Sequence, residues 1–408
     1  MVKLISCHNE TVTKRLLLFA ATTGYQIRVF SDAARRLGVD LTLATDRCHV
    51  MEDPWGDRAI AVKFDRVTES LASLRGMHFD GVAAVGDRPA VLAAKAAEML
   101  QLPFHPPSAA RACNDKNLAR QYYEAAGMKV PWYFRTVSED NAALAEYPCV
   151  LKPIRSTASR GVIRADNPAE FVSAFRRIAR MGEHDVQVEG YIDGREYALE
   201  GLVTDGHLRV LAIFDKPDPL TGPFFEETIY ITPSREPTHI QAALAETAAQ
   251  AVKALGLTHG PVHIELRGTQ ILETAARPIG GLCGKALRFD GGVPLEELVL
   301  RHALGEDIST LNREQTASGV MMVPIPRGGV YESVDGVEQA AAIPAVEDVI
   351  ITAQRGEHLI PLPEGSSYLG FIFARAESAD DVEEALRRSH AKLKFHIATA
   401  LETISPSL

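Results

Sequence analysis

Cysteine is scarce and scattered in this 408-residue chain: Cys7, Cys48, Cys113, Cys149 and Cys283 are odd in number, far apart and form no C-x-x-C. That pattern excludes a disulfide scaffold and a structural zinc ribbon, and fits buried thiols in a reducing cytoplasm. Long apolar runs are also missing, and none approaches the roughly 20 residues a membrane helix requires. The opening stretch MVKLISCHNETVTKR turns polar after two apolar residues, so no secretory leader is expected. Positive charge is in deficit, with 43 Lys plus Arg against 53 Asp plus Glu, a net charge of −10. A dispersed acidic excess lacks the basic stripe that nucleic acid demands, yet a local basic site for a phosphorylated small molecule is compatible with it. Thirteen histidines yield one close pair in helical register, His259 and His263, and the Gly260-Pro261 between them breaks the helix a metal pair would need. Internal repeats and low-complexity tracts are absent. What remains is an ordinary globular composition, 46% hydrophobic and 24% charged, long enough for two or three domains.

The first hundred residues alternate strand and helix patterns. RLLLFA (15–20), Leu41–Ala44, Ala59–Val62 and Gly81–Val85 read as strands, with helices over Gln26–Leu37 (stopped by Gly38) and Arg88–Leu100. Strands alternating with helices at this spacing predict a parallel doubly wound sheet. Its first turn, AATTGYQ, has a single glycine, so the G-x-G-x-x-G of a dinucleotide fold is lacking. The GGLCGKA at 280–286 is one residue short of a P-loop and has alanine where magnesium needs a hydroxyl. Pro103, Pro106 and Pro107 mark a boundary. A helix over Asn114–Ala126 follows, then β-type alternation from about Pro148 to Ile213, interrupted by a helix at Pro168–Met181. Ile240–Leu255 is a helix closed by Gly256, and Val262–Leu266 with Gln270–Thr274 flank a turn at Gly268. The last hundred residues mix strands (Val320–Pro324, Val349–Ala353, Leu369–Arg375) with a helix from Asp380 to about His396.

Three segments carry chemistry. In YPCVLKPIRSTASRGV (147–162) a lysine ends an apolar strand before a Ser/Thr/Gly turn. Hydroxyls and turn N–H groups can surround phosphate oxygens while Lys152 supplies a point charge; the plain alternative is a polar hairpin turn. In VQVEGYIDGRE (186–196) a strand runs into an acidic glycine turn. Such a strand end can pair with an adenine edge, and a carboxylate seven residues on can accept ribose hydroxyls. In VHIELRGTQILETAARP (262–278) Glu265 and Glu273 sit on neighbouring strands. A three-residue loop, Arg267–Thr269, puts both on one face as diagonal neighbours roughly 7–8 Å apart, close enough to need a shared cation. A two-residue loop puts them on opposite faces.

A phosphate lysine with its small-residue loop, an acidic hinge, and a paired-glutamate hairpin followed by Arg277 resembles the ATP-grasp superfamily, over nearly the whole chain. Within it the chain is similar to the carboxylate–amine ligases, including bacilysin-type L-amino-acid ligases and formate-using phosphoribosylglycinamide formyltransferase. The resemblance implies an α/β and α+β architecture: an N-terminal doubly wound α/β domain (1–107), a two-lobed ATP-grasp core (108–300) with a flap at about 131–187, and a C-terminal α+β domain (301–408). It implies ATP and Mg²⁺ as cofactors, with carboxylate and amine as small-molecule substrates. By the same resemblance Lys116 and Lys152 are the ATP lysines, and Ser156, Ser159 and Gly161 belong to the phosphate loop. Glu189, Tyr191 and Ile192 are the adenine hinge and Glu196 the ribose carboxylate. Glu265 and Glu273 hold magnesium, Arg277 meets the reacting phosphate, and Gly280 and Gly281 give backbone approach beside it. Homodimerisation is implied by the resemblance alone.

Departures from the pattern shape further expectations. Ser156 and Ala158 replace glycines in the loop, which should stiffen it. Glu273-Thr274-Ala275 replaces E-x-N, which should weaken a second magnesium site. In GPFFEETIYITPS (222–234) Glu227 matches the acidic substrate residue of the amino-acid ligases, but Tyr230 stands where histidine is expected. Lys285 and Arg288, just past the Arg277 motif, are candidates for a substrate carboxylate, or else solvated helix residues. The expected reaction is phosphorylation of a carboxylate by ATP and displacement of the phosphate by an amine, forming an amide or dipeptide. The amine proton can pass to Glu227, His263 or the leaving phosphate. Ligation of formate or another small acid to a nucleotide-like amine, and a non-catalytic nucleotide-binding regulator, are the two other readings.

Overall fold

The apolar runs near the N-terminus become the parallel sheet that their spacing predicts. In a computed structural model describing residues 13–21, 25–46 and 59–399, β1 (Arg15–Ala20), β2 (Asp40–Thr45), β3 (Ala59–Ala61) and β4 (Gly81–Val85) pair in parallel in the order β3-β2-β1-β4. Cys7, Gly24 and Cys48 lie outside the described residues. Alternate residues of β1 enter different cores, Leu16 and Leu18 toward α1 (Ile27–Leu37) and Leu17 and Phe19 toward α3 (Asp87–Leu100). Covering both faces is what a parallel sheet of continuous apolar strands requires. α2 (Val67–Ala72) is a short connector. α1 ends on Gly38, whose φ of 64° is the left-handed stop that its glycine predicts.

α4 (Pro107–Cys113), a helix the proline cluster disguised, and α5 (Lys116–Ala125) lead out of this domain. Pro107 at the first helical turn costs no hydrogen bond there, so the cluster begins a helix instead of merely ending one. Asp115 caps α5 by accepting the Leu118 N–H at 3.0 Å, which sets Lys116 on the helix's first turn. The flap follows: β5 (Tyr133–Thr136), β6 (Cys149–Pro153), β7 (Ile163–Ala165) and β8 (Val186–Gly190) form an antiparallel sheet in the order β5-β8-β6-β7. α6 (Pro168–Arg180) packs Phe171, Phe175 and Ile178 onto it.

Eight of the remaining strands build one sheet, ordered β13-β12-β9-β10-β11-β16-β20-β18, and three C-terminal ones form a second, ordered β19-β17-β21. β9 (Glu196–Thr204), β10 (His207–Lys216), β11 (Ile229–Thr232), β12 (Gly260–Arg267) and β13 (Gln270–Ala275) belong to the core, with α7 (Thr238–Leu255) on one face. A small β14 (Arg288–Phe289), β15 (Val293–Pro294) ribbon precedes α8 (Leu295–Ala303), which closes the other face. The division expected at residue 300 falls inside α8, and the sheet is continuous across it through the antiparallel β11–β16 pair. C-terminal elements are β16 (Ala317–Val323), β17 (Gly329–Asp335), α9 (Val337–Ala341), β18 (Val346–Ile351), β19 (His358–Leu359), β20 (Gly370–Ala376), α10 (Ala379–His390) and β21 (Lys394–Ala398). The helix expected to reach His396 stops at His390. KFHIA alternates with period two, and β21 pairs with β17 instead. Among the described residues no helix is long and apolar enough to cross a membrane.

Candidate active site

Two confluent cavities lie where the N-terminal sheet, the flap and the eight-stranded sheet meet. The first is lined by Lys116, Val150, Lys152, the 156–159 loop, Glu189 to Ile192, Glu196, Phe225, Leu272 and the hairpin carboxylates. The second, about 240 Å³, is walled by Tyr25, Gln26, Asp87, Tyr230, Gly280, Gly281, Met322 and Tyr368. Thr157, Ala158, Glu227, His263, Glu265 and Arg277 line both, so they mark the junction.

The hairpin has the two-residue turn that by parity should separate its glutamates, since Arg267 pairs with Gln270 across Gly268 and Thr269. A bulge corrects the parity. Leu266 faces Ile271, the register then slips, and Glu265 faces Glu273 directly, leaving Leu272 as the extra residue. The glutamates are therefore opposite, not diagonal, and share the cavity face. Lys116 Nζ lies 3.4 Å from Glu273, and Lys216 Nζ lies 3.5 Å from Glu265. Two facing carboxylates with only long cationic contacts form a hard oxygen donor set, which suits Mg²⁺. Burial alone would raise the Glu265 carboxyl, but the Lys216 ammonium and the His263 ring hold it well below the usual carboxylate range.

Lys216 is the main residue that sequence reading missed. Its ammonium is 3% exposed and contacts Glu196 at 2.7 Å and Glu227 more closely still. Burial opposes its charge, yet the three carboxylates of Glu196, Glu227 and Glu265 raise it well above an ordinary lysine. These three carboxylates converge closely enough to hold a cation, and the Lys216 ammonium stands among them. The signal was in the sequence, because FDKP at 214–217 repeats the strand–Lys–Pro pattern of VLKP at 150–153. Arg267, also missed, donates to Glu196 Oε2 at 2.6 Å, Ile192 O at 3.2 Å and Leu220 O at 2.8 Å. Each oxygen of Glu196 thus accepts one hydrogen bond from within the protein, while the residue still lines the first cavity.

At the hinge the Glu189 carboxylate faces inward, where Arg120 grips it through two hydrogen bonds (2.9 and 3.2 Å) and Lys152 contacts it directly. Burial pushes its carboxyl up, but these two cations prevail and keep it ionised. Desolvation lowers the Lys152 ammonium, with Glu189 opposing. What the hinge presents is backbone and apolar surface: Ile192, Val150, Phe225 and Leu272 line a slot for a flat base. Tyr191 is held between the Arg164 and Arg267 guanidiniums, 4.3 and 5.2 Å from its ring centre.

In the phosphate loop Ser156 and Ser159 line the cavity, and the Ser156 carbonyl accepts from Lys116 Nζ at 2.6 Å. Ala158 and Ser159 adopt positive φ, 52° and 54°, so non-glycine residues hold a left-handed arch. Gly161 turns away from the cavity: at φ 73° a Cβ there would stand 2.7 Å from Pro153 Cγ. Its N–H donates to Pro363 O at 2.8 Å, beside Arg160 Nε to Glu364 O at 3.1 Å and Arg177 Nη2 to Glu364 Oε2 at 3.0 Å. The flap is stitched to the C-terminal portion.

Arg277 sits at the junction, oriented by Asp87 of the N-terminal domain at 3.1 Å. Asp87 follows Gly86 at the end of β4, the strand-end position where doubly wound sheets place ligand-facing residues. His263 is wedged between Glu200 (3.1 Å, Nδ1) and Glu265 (3.4 Å, Nε2). Burial lowers it, but those two hydrogen bonds win and push it up to about 9. Both ring nitrogens of His263 are thus engaged by carboxylates, Nδ1 by Glu200 and Nε2 by Glu265. Ala275, at the position where asparagine is usual, pairs across the ladder with His263. Tyr230 is buried, with Lys216 Nζ 5.0 Å over its ring.

Lys285 and Arg288 are not brought to either cavity. Lys285 pairs with Asp348, and Arg288 with Glu347 at 2.9 Å, both partly exposed. Their charges tie the 280s loop to β18 and the residues beside it. Lys285→Ala and Arg288→Ala are each expected to leave kcat and KM within about twofold of the parent, as for ordinary surface ion pairs. A steady-state comparison checks this, and a tenfold rise in the KM of either substrate would return them to the site.

Comparison with known proteins agrees with this geometry. A family model described as an ATP-grasp domain matches residues 145–286, one for the ATP-grasp N-terminal domain matches 31–104, and one for L-amino acid ligase C-terminal domain 2 matches 321–398. Alanine–anticapsin ligase of Bacillus subtilis (strain 168) is 31% identical over 51% of this chain and 50% of its own, so the chain spans about half the length of that relative. The formate-dependent phosphoribosylglycinamide formyltransferase of Cupriavidus metallidurans is 23% identical over 95% of this chain and 97% of its own. The crystal structure of an L-amino acid ligase from Bacillus licheniformis superposes with a TM-score of 0.81 at 27% identity, covering 95% of this chain and 99% of that one. The chain therefore carries an ATP-grasp domain with an ATP-grasp N-terminal domain before it, and its likeness to an L-amino acid ligase along nearly its whole length supports an ADP-forming ligase.

Proposed function

We propose that this protein uses ATP and Mg²⁺ to join the carboxylate of one amino acid to the amine of another through an acyl phosphate. The observation that carries this reading is the confluence of the two cavities at Glu227, Glu265 and Arg277. A nucleotide laid along Ile192 and Leu272 would direct its phosphates past Lys152 and Lys116 toward that junction. Glu265 and Glu273 would hold the magnesium, which when bound screens the charge between two anions brought together. Arg277, fixed by Asp87, points a guanidinium at the same place and stabilises charge on the transferring group. The 156–159 loop, arched over the junction, excludes water from the activated acid.

Burial first, and the neighbouring Glu265 charge second, raise the Glu227 carboxyl above the ordinary carboxylate range. That makes Glu227 the group suited to take the amine proton near neutral pH. The second cavity favours amino acids over a nucleotide-like amine. Its walls combine three tyrosines, Met322 and Ile279 with the carboxylates of Asp87, Glu227 and Glu265, and its basic side chains are Arg277 and the already paired His263. A phosphoribosyl group would find no free cation there among the described residues. The decisive assay is ADP and phosphate release across pairs of amino acids, formate and aminoribosyl phosphates. Stimulation by amino-acid pairs alone is expected; stimulation by formate with an aminoribosyl phosphate would replace this reading with purine-type ligation.

A further inference from the structure

We propose that Arg120 is a positioning residue that holds the metal-binding hairpin and the nucleotide hinge in register through a single guanidinium. The inference rests on the ATP and Mg²⁺ reading above. Arg120 lies one turn along α5 from Lys116, so both side chains leave the same helix face. It is 2% exposed and makes contacts in two directions. Toward the hinge, Nε and Nη2 fork onto the two oxygens of Glu189, at 2.9 and 3.2 Å. Toward the hairpin, Nη1 donates to Ile271 O at 2.8 Å and Nη2 to Leu272 O at 3.0 Å.

Those two carbonyls belong to the bulge that turns Glu273 onto the cavity face. With Leu272 kept in a regular, unbulged register, the two-residue turn would set Glu265 opposite Leu272, and Glu273 would point to the other side of the sheet. A bulge leaves ladder groups unpaired, and buried carbonyls without donors are costly, so the regular register competes unless something satisfies them. Arg120 does so. The same guanidinium fixes Glu189, and Glu189 fixes Lys152. One residue thus sets both the magnesium carboxylate and the phosphate lysine. A lysine at 120 would keep the charge but could not fork onto a carboxylate and reach two carbonyls together.

The test is Arg120→Lys in the full chain. Mn²⁺ binding is read by electron paramagnetic resonance with a non-hydrolysable ATP analogue, and analogue binding without metal by calorimetry. We expect Mn²⁺ affinity to fall about 10- to 100-fold, the range for residues that orient metal ligands, with metal-free analogue binding weakened as well. A folded variant with both affinities within about twofold of the parent would overturn the proposal. Deleting Leu272 supplies the control, because the regular hairpin it creates still sets Glu273 opposite Glu265. In that background Arg120→Lys should change Mn²⁺ affinity by less than about threefold, and an equal loss in both backgrounds would overturn the bulge as the route. Should Arg120→Lys fail to fold alone, folded and Mn²⁺-binding protein in the deletion background supports the proposal. Failure to fold in both assigns Arg120 to stability only and overturns it. If the unsubstituted chain binds neither Mn²⁺ nor the analogue, the nucleotide reading falls first.

Discussion

Replacing Glu273 by glutamine is expected to reduce ADP release by about a thousandfold while the protein stays folded. Glutamine keeps the size of the side chain and its place opposite Glu265, and removes only the charge. The carboxylate is 29% exposed and carries a single long contact to Lys116, at 3.4 Å, so little of the native packing depends on it. A loss of charge at such a site should show in chemistry and not in the melting temperature. The measurement is substrate-stimulated ADP release beside a thermal melt. Unchanged turnover in a protein melting within a degree or two of the parent would remove Glu273 from the metal site. Glu265→Gln is less clean, because Glu265 also answers Lys216 and His263.

Arg277→Met is expected to lower kcat by about 100- to 1000-fold with ATP affinity nearly unchanged. The reasoning is geometric: Arg277 stands at the junction of the cavities, away from the slot that receives the base. Its removal also strands Asp87, which is 6% exposed and uses the guanidinium as its ion-pair partner. Asp87→Asn separates the two effects. It leaves Arg277 in place, removes the charge that fixes its direction, and should cost kcat about tenfold, as for residues that orient a working group. A nucleotide titration with a steady-state profile distinguishes the outcomes. If Arg277→Met raised the KM for ATP in proportion to its loss in turnover, the arginine would be a nucleotide anchor and not a stabiliser of the transferring group.

The sequence made the nucleotide site legible where the chemistry is local. Lys152 at a strand end, the Ser/Thr loop after it and the apolar hinge all depend on neighbours within a few residues, and all line the cavity. Legibility failed where a side chain's partner is distant in sequence. The partner of Glu189 is Arg120, 69 residues away. Those of Glu196 are Lys216 and Arg267, on other strands. Glu200, which meets the Nδ1 of His263, is equally remote in sequence. The paired glutamates are the instructive case. Period-two counting gives the right face only with a three-residue loop, and the chain reaches that face with a two-residue turn and a bulge that no local pattern announces. Lys285 and Arg288 failed in the opposite sense: adjacency to a functional motif says nothing about direction, and β18 and its neighbours hold them outward. The α10 boundary failed because a charged helix end and an amphipathic strand use similar residues, and only pairing with β17 decides between them.

The stitching of Gly161, Arg160 and Arg177 to Pro363 and Glu364 places the closing edge of the nucleotide lid in a segment more than 170 residues away. Lid and latch are thus inherited from different parts of the gene. A chimera that keeps the whole core but borrows a foreign C-terminal portion would carry every group proposed to meet ATP and still meet a mismatched seam. Recombination among ligases of this architecture should therefore succeed when crossovers move the 156–177 and 361–365 stretches together, and fail when they part them.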